Sequence, residues 1–386
     1  MGIELIILDS HPVQYKAPVY RELERLRPGR FKVVYVSDWS MRGGRIDKGF
    51  NREVAWDTPL LEGYSHIVLN NERAGAVTGP WSLHGRGIFA LLKREAPRAV
   101  LISQFYYLAD WVAYLSCLRL GIPIWIRHET QDEAAVRSGW KAFARSAYYF
   151  CVYRNVRQAF YIGELNRRHL LRHGVQPEKL HFSPYCVESP FGSMSLAEKQ
   201  EARNGCRRKL NVAEDETLVL FAGKLIEKKN PGLVLEALAL LESEKRGRFR
   251  VVYVGSGDLE PELRKRAERF GPRVQFAGFV NQSQLPPFYL AADILVLPSK
   301  RRGETWGLVV NEALHAGCAA VVSDAVGCKE EFGSWERVRV IPDGDAQACA
   351  TALAELAAFP RDFDWCRDRM AKYSVHAAAA GLAALV

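Results

Sequence analysis

The sequence lacks any uninterrupted run of about 18 apolar residues, the length that a membrane-spanning helix needs, so we expect no transmembrane helix. Its first residues, MGIELIILDSHP, lack the basic segment of a signal peptide and reach Asp9 too early for one. We interpret them as a first buried strand. The 8 cysteines include no CxxC pair and no histidine at metal-ligand spacing, which favours reduced structural thiols in a cytoplasmic protein.

The sequence also lacks any DNA- or RNA-binding motif, although its net charge is +9. A basic excess favours anionic partners, namely nucleoside diphosphates, anionic lipid headgroups or nucleic acid. Because no motif accompanies the charge, we expect no nucleic-acid partner. The length of 386 residues allows two or three domains, and the 48% hydrophobic content is ordinary for a globular protein.

Short apolar runs alternate with helical stretches in both halves of the chain. The runs are IELIIL, FKVVYVS, AVLISQF and IPIWIRH in the first half, and LVLFAG, FRVVYVG, VQFAGFV and ILVLPS in the second. Strands that alternate with helices predict an α/β fold with doubly wound parallel sheets. A polar, charged segment precedes the second set of runs, so we expect the domain boundary near residues 186–214.

The stretch 298–324, PSKRRGETWGLVVNEALHAGCAAVVSD, predicts a loop after a strand, a helix over 307–316 and a further buried strand. Such a loop lies at the carboxyl end of a parallel strand, where open α/β sheets bind ligands. The stretch carries Glu304 and Glu312, which a fully helical chain would separate by about 12 Å. Two carboxylates that far apart cannot share one proton or one metal, but they can hold two ends of an elongated ligand. Taken alone, the pair also fits a solvated loop residue and a surface helix residue.

The Glu-x7-Glu spacing between PS and the EALHAG helix resembles the donor-site signature of retaining glycosyltransferases of family 4, in particular the bacterial surface-polysaccharide type. The resemblance implies the GT-B fold, with two doubly wound, Rossmann-like domains around a cleft. It assigns residues 1–190 to an N-terminal acceptor-binding domain and residues 191–365 to a C-terminal domain that binds a nucleotide-sugar donor. Residues 366–386 are then expected to form a C-terminal helix that packs back on the N-terminal domain.

The resemblance also implies roles for individual residues. A leaving diphosphate needs fixed positive charge, which Lys224 and Lys229 are expected to supply after the turn at Gly223, although the family pattern has arginine where Lys224 stands. Glu304 is expected to hold hydroxyls of the donor sugar, and Glu312 the ribose diol. The predicted catalytic residues are His128, Lys224, Lys229 and Glu304. The predicted donor-binding residues are Gly223, Gly255, Phe279, Val280, Thr305, Trp306, Gly307, Leu308, Val309 and Glu312.

Residues of the first half are expected to face the same cleft. His128 and Glu129 end the strand IPIWIRH, and the family places a histidine there, close to the reacting sugar. Many relatives carry Gly-Gly in the first loop, whereas this sequence has His11, Pro12, Val13, Gln14 and Tyr15. The predicted acceptor-side residues are His11, Gln14, Tyr15 and Glu129.

The sequence predicts no metal and no cofactor beyond the nucleoside-diphosphate sugar as co-substrate. Asp343-Gly344-Asp345 has the DxD pattern that holds a metal in other glycosyltransferases, but its setting favours a turn and a helix N-cap. The expected acceptor is a polysaccharide, a lipid-linked saccharide or a small molecule. Basic and aromatic residues over 137–154 suggest peripheral contact with anionic lipid on the inner membrane face. Two rival functions remain, a GT-B nucleotide-sugar epimerase and a non-catalytic membrane-surface protein that keeps the fold.

Overall fold

The structure, a computed structural model, describes residues 3–42, 46–47, 49, 52–53, 57–72, 77, 79–134, 138–241 and 247–386. Residue 137, the first of the basic and aromatic segment, lies outside these ranges. The described chain forms two α/β units, each built on one parallel sheet. The predicted fold of two doubly wound parallel sheets is therefore confirmed.

Strands and helices alternate along the described chain. The strands are β1 (Leu5–Asp9), β2 (Phe31–Tyr35), β3 (Ile46–Asp47), β4 (Arg52–Glu53), β5 (His66–Val68), β6 (Ala99–Ile102), β7 (Ile124–Ile126), β8 (Val156–Tyr161), β9 (Leu180–Phe182), β10 (Thr217–Ala222), β11 (Phe249–Val254), β12 (Val274–Gly278), β13 (Ile294–Leu297), β14 (Ala319–Ser323) and β15 (Val338–Ile341). The helices are α1 (Ala17–Leu26), α2 (Ile88–Glu95), α3 (Leu108–Leu120), α4 (Gly139–Tyr153), α5 (Glu164–Arg172), α6 (Leu196–Lys209), α7 (Gly232–Leu240), α8 (Glu260–Ala267), α9 (Pro286–Ala291), α10 (Leu308–His315), α11 (Lys329–Phe332), α12 (Ala346–Leu356), α13 (Arg367–Met370) and α14 (Val375–Ala383).

Both sheets reverse their strand order at one point. The first sheet has the order β5-β2-β1-β6-β7-β8-β9, and the second has the order β12-β11-β10-β13-β14-β15. The chain therefore changes direction between β1 and β6, and again between β10 and β13. Loops that leave the carboxyl ends of such neighbouring strands diverge and open a crevice. Each domain thus has one position that is suited to a ligand.

The strands are buried because helices cover both faces of each sheet. All five residues of β1 and all five of β14 are buried, and both strands are continuous apolar runs apart from a terminal polar residue. Apolar side chains form one cluster on each face of the first sheet and one on each face of the second. These four clusters hold the strand ends, and therefore the loops, in fixed positions.

The last helix returns to the first domain. α14 packs against α1, where Arg27 Nε donates to the carbonyls of Ala383 (3.1 Å) and Val386 (2.8 Å). Ser183 Oγ donates to the Ala378 carbonyl at 2.8 Å. Just before this helix, Cys366 Sγ still contacts the Leu314 carbonyl of the second domain at 3.2 Å. The chain therefore crosses between the domains near residues 366–375.

The cysteines are free thiols, and all except Cys151 are buried. Burial raises the pKa of Cys117 and of Cys366 to about 12, which keeps both thiols protonated and unreactive. Within the described ranges, none of the helices combines the length and the apolar character that a bilayer span requires.

Candidate functional site

The loop that follows β13, residues 298–307, lies beside the loop that follows β10, at the point where the second sheet reverses its order. Lys229 Nζ donates to Glu304 Oε2 at 2.5 Å, and Ser299 Oγ donates to the same oxygen at 3.1 Å. Glu304 is only 7% exposed. Burial acts to raise the pKa of Glu304, but the Lys229 ammonium and its hydrogen bond outweigh burial and hold that pKa below its usual value. Glu304 is therefore an ionised, nearly buried carboxylate.

Lysines of the β10 loop fasten the two loops together. Lys228 Nζ donates to the Gly303 carbonyl, and Lys300 N–H donates to the Lys228 carbonyl, both at 2.8 Å. The Lys224 side chain lies against the first domain, since a Cβ placed on Gly49 would be 2.8 Å from Lys224 Nζ. Lys229 thus contacts the loop that carries Glu304, whereas Lys224 faces the first domain.

Two predicted glycines allow the ends of β10 and β11 to come close together. Gly223 has φ +140° and Gly255 has φ +134°, backbone angles that strongly favour glycine. A Cβ on Gly255 would lie 1.9 Å from the Gly223 carbonyl oxygen, whereas a Cβ on Gly223 would meet open space. Gly255 is thus required by packing, and Gly223 leaves its backbone accessible beside Lys224.

Glu312 lies on α10 and is fully enclosed by polar partners. Its Oε1 accepts from Gln282 Nε2 at 2.9 Å, and its Oε2 accepts from the Tyr289 hydroxyl at 2.5 Å. Burial raises the pKa of Glu312 despite these two bonds. Gln14 Nε2 of the first domain in turn donates to Gln282 Oε1 at 3.3 Å, which links a predicted acceptor-side residue to the Glu312 side chain. Sequence reasoning missed Gln282, which belongs to no motif.

The other predicted donor residues are distributed around these two glutamates. Phe279 and Val280 follow the edge strand β12, and both are partly buried. Gly307 is the N-cap of α10, with Leu308 and Val309 in the first turn of that helix. The Trp306 side chain belongs to the core, where its Nε1 donates to Asn311 Oδ1 at 2.8 Å, so only its backbone can face a ligand.

On the opposite side of the cleft, the predicted residues of the first domain are packed tightly. His128 Nδ1 accepts from Thr130 N–H at 3.3 Å, and His128 Nε2 is 3.0 Å from the Tyr153 hydroxyl. Burial lowers the pKa of His128 to about 3, and that of His11 to about 4. Tyr15 is half-buried near Glu312, and desolvation raises the pKa of its phenol. Both histidines are therefore neutral at pH 7.

Several contacts close the cleft between the domains. Glu129 accepts hydrogen bonds from the hydroxyls of Tyr185 and Thr305, the latter at 3.3 Å. Further contacts join Gly303 N–H to the Ala134 carbonyl (2.8 Å), Lys329 to Glu133 (2.7 Å), Arg168 to Glu330 (3.0 Å) and Glu164 N–H to Glu331 Oε1 (2.5 Å). The loop that carries Glu304 is thus held by both domains.

Two sets of residues in the described chain have side chains of the types that ligate metals, and both are engaged within the protein. Asp345 is the N-cap of α12, where its Oδ1 accepts from Ala348 N–H at 2.8 Å, and Asp343 accepts from Arg301 N–H at 2.9 Å. The turn and N-cap predicted for this DxD segment are therefore confirmed. Elsewhere in the described chain, Asp132 lies close to two histidines. The guanidiniums of Arg145 and Arg172, each 3.4 Å from Asp132, already balance the negative charge of its carboxylate.

The second domain is similar in sequence to known proteins. Residues 203–373 match the family model described as Glycosyl transferases group 1. The chain is 36% identical over 133 residues to an uncharacterized glycosyltransferase of Methanocaldococcus jannaschii, covering 34% of this chain and 33% of that protein. It is 28% identical over 284 residues to the D-inositol 3-phosphate glycosyltransferase of Streptomyces scabiei, covering 67% of this chain and 60% of that enzyme. The chain therefore spans less than two thirds of either curated relative.

A solved structure agrees over the whole chain. The crystal structure of Anabaena Alr3699/HepE in complex with UDP and glucose superimposes with a TM-score of 0.63 at 16% identity, covering 99% of this chain and 95% of that one. At this identity the likeness bears on the fold alone, and the fold of this chain is GT-B.

The contact at Glu331 predicts a pH-dependent stability. Burial raises the pKa of Glu331 to about 7 from its ordinary value of 4.5, and its Oε2 is buried without a partner. Because the folded pKa is raised, this carboxyl stabilises the fold fully below pH 4.5, and that contribution is lost as the pH rises through 7. Glu331→Gln cannot ionise, so we expect its Tm relative to the wild type to rise between pH 5 and pH 8.

The matched control is Glu330→Gln, which removes the neighbouring carboxylate that pairs with Arg168. We expect this control to gain less at pH 8, because burial is the main cause of the raised Glu331 pKa and the Glu330 charge is a smaller one. A Tm difference for Glu331→Gln that stays constant from pH 5 to pH 8 would contradict the assignment.

Proposed function

We propose that the chain is a retaining glycosyltransferase of the family 4 type, because residues 203–373 match the group 1 glycosyl transferase model and the whole chain has the GT-B fold. It would move a hexosyl group from a nucleoside-diphosphate sugar to an acceptor hydroxyl. The observation that carries the proposal is the Lys229–Glu304 pair at the strand-order reversal of the second sheet. An ammonium and an ionised carboxylate on adjacent loops suit a ligand that has an anionic end and a hydroxyl-rich end.

The proposed step breaks the bond between the anomeric carbon of the donor and the diphosphate oxygen. The diphosphate leaves with the electron pair, and the ammoniums of Lys224 and Lys229 stabilise the charge that develops on it. The acceptor oxygen bonds to the anomeric carbon on the same face, and its proton passes to the departing phosphate oxygen. Glu304 accepts hydrogen bonds from the sugar hydroxyls, while Glu312 holds the ribose diol.

We propose that no divalent metal takes part. The lysines supply the positive charge that a metal would otherwise bring to the diphosphate, and Asp343 and Asp345 are engaged in a turn and a helix cap. Lys224 provides charge without the bidentate geometry of an arginine, so Lys229 carries the larger share of the phosphate contact.

The acceptor is proposed to be a saccharide on a lipid carrier at the cytoplasmic face of the membrane. Helix α4 has no acidic residue and exposes Trp140 (75%) and Phe143 (77%), with Phe150 further along the same helix. Lys141 lies on this helix and Arg154 is its C-cap, and the neighbouring α3 exposes Leu115 and Leu118. Basic side chains interleaved with aromatic ones suit an anionic lipid surface. A soluble acceptor, such as the inositol phosphate in the name of the Streptomyces relative, is the competing class.

Product analysis tests the reaction. The donor is first selected from UDP-, GDP- and ADP-sugars by thermal shift, then incubated in EDTA with and without an extract of bacterial lipid-linked and free oligosaccharides. We expect free nucleoside diphosphate to accumulate only with the extract, and the anomeric coupling of the product to match that of the donor. Glu304→Gln should lower turnover by about 100-fold without loss of fold, because it removes a charge from the reacting end.

Four results would contradict this proposal. Conversion of the nucleotide sugar to an epimer without extract would assign an epimerase, and binding without any turnover would assign a non-catalytic protein. Activity that needs Mg²⁺ or Mn²⁺ after EDTA treatment would refute the metal-independent step. Full turnover by Glu304→Gln at saturating donor would remove Glu304 from the chemistry.

Sedimentation with liposomes tests the membrane contact. We expect the protein to pellet with anionic vesicles at low salt, less at high salt, and little with neutral vesicles. The reason is that each basic side chain near an anionic surface contributes about 1 kcal/mol of binding free energy. Trp140→Ser with Phe143→Ser should abolish pelleting, whereas Leu196→Ser, at a 67% exposed site of the second domain, should not. Equal recovery in the supernatant under all conditions would favour the soluble acceptor.

A further inference from the structure

Three buried side chains and the half-buried Asp132 form a continuous series of hydrogen bonds behind the loop that follows β7. The Tyr153 hydroxyl is 3.0 Å from His128 Nε2 on one side and 3.0 Å from His169 Nε2 on the other. His169 Nδ1 is 2.9 Å from Asp132 Oδ1. We call these four residues the histidine chain. It runs from the loop through α4 to α5 and back to the loop.

The direction of every hydrogen bond in the histidine chain follows from its two ends. Thr130 N–H can only donate, so His128 Nδ1 accepts and the single proton of the neutral ring lies on Nε2. The Asp132 carboxylate can only accept, so the proton of His169 lies on Nδ1 and its Nε2 is bare. Tyr153 therefore accepts from His128 and donates to His169. With both rings neutral, every donor in the histidine chain has one acceptor.

Charged and titratable groups surround the Asp132 end. Arg145 of α4 and Arg172 of α5 each place a guanidinium nitrogen 3.4 Å from the Asp132 carboxylate. His173 follows α5 with Nε2 3.6 Å from Asp132, and its Nδ1 faces Ser146 Oγ at 3.2 Å. Burial lowers the pKa of His169 and of His173, so both are neutral near pH 7. Asp132 is therefore held as an anion, and the proton positions along the histidine chain are fixed by it.

The loop that contains the two ends of the histidine chain is also the part of the first domain that meets the Glu304 loop. Ala134 accepts from Gly303 N–H at 2.8 Å, one residue before Glu304. Glu129 accepts from the Thr305 hydroxyl at 3.3 Å, one residue after it. Glu133 pairs with Lys329 at 2.7 Å. The conformation of residues 128–134 therefore determines how the first domain contacts the reacting end of the donor site.

We propose that Tyr153, His169 and Asp132 are positioning residues, which hold His128 as its Nε2-protonated tautomer and keep residues 128–134 in the shape that closes on the Glu304 loop. The expected effect on turnover depends on the proposed glycosyl transfer, whereas the expected tautomers of His128 and His169 are independent of it. None of the three needs to touch the donor. Their contribution lies in alignment, and a small misplacement of reacting groups can lower a rate by about 100-fold.

The first experiment reads the tautomers directly in the wild-type protein labelled with ¹⁵N-histidine. Long-range ¹H–¹⁵N spectra at pH 7.5 distinguish a protonated ring nitrogen from a bare one, and variants of each histidine assign the signals. We expect His128 to be protonated on Nε2 only and His169 on Nδ1 only. An Nδ1-protonated His128, a doubly protonated ring at either position, or loss of the His169 Nδ1 proton on stoichiometric addition of Zn²⁺ would overturn the proposal.

The second experiment compares two matched tyrosine variants of α4. Tyr153→Phe removes the hydroxyl that joins the two histidines, whereas Tyr149→Phe removes one that makes no hydrogen bond within the described part of the chain. We expect Tyr153→Phe to lower kcat by about 10- to 100-fold while the Kd for the nucleoside diphosphate stays unchanged, because the nucleotide contacts are in the second domain. Tyr149→Phe should retain both values.

A pair of changes at Asp132 supplies the rescue test. The amide oxygen of Asp132→Asn can still accept from His169 Nδ1, so this variant should keep the wild-type tautomers and most of kcat. Asp132→Ala should lose the Nδ1 preference of His169 and reproduce the kcat loss of Tyr153→Phe. Equal kcat in Asp132→Ala and wild type, or equal losses in the Asn and Ala variants, would overturn the positioning role. Absence of transferase activity in the wild-type protein would instead refute the proposed function. The protonation states of His128 and His169 would still test the hydrogen-bond directions in the histidine chain.

Discussion

The Glu304 carboxylate is nearly buried, and a buried charge is tolerated only when a partner compensates for its lost hydration. Lys229 is that partner, and the two residues come from loops that follow different strands, β10 and β13. Removing one member of such a buried pair typically costs about 3–5 kcal/mol because the other charge is left alone. The pair therefore requires the two loops to stay together. This requirement explains why Lys228 and Lys300 add backbone contacts between the same loops.

The same loop joins the two domains. Its backbone meets the first domain at Ala134 and its Thr305 hydroxyl meets Glu129, on either side of Glu304. On the far side of the first domain, α14 fastens the end of the chain to α1, so the domains are connected by two separate crossings. A ligand that binds Glu304 would consequently affect a loop that contacts both domains. This arrangement is expected of a cleft that closes on its substrate.

The sequence predicted those parts of the molecule that depend on local pattern. Alternating apolar runs predicted the parallel sheets, and the predicted helix over 307–316 is observed at Leu308–His315. The partners of Glu312 and His128 could not be predicted, because Gln282, Tyr289, Tyr153 and His169 are brought to them by tertiary packing and share no spacing with them. Trp306 illustrates the same limit. Its position before a helix suggested a ligand contact through its backbone, but the sequence did not show that its indole fills the core beside Tyr185 and Phe332.

Lys229 is proposed to bind the diphosphate and Glu304 the sugar, and calorimetric measurement of binding to two ligands separates these roles. The ligands are the nucleoside-diphosphate sugar selected by thermal shift and the corresponding nucleoside diphosphate without sugar. Lys229→Met should weaken both ligands by about 10-fold or more, whereas Glu304→Gln should weaken only the sugar nucleotide. Because the side chains are in contact, the double variant should lose less affinity for the sugar nucleotide than the two single losses combined. Equal weakening of both ligands by Glu304→Gln, or unchanged binding in Lys229→Met, would contradict the account.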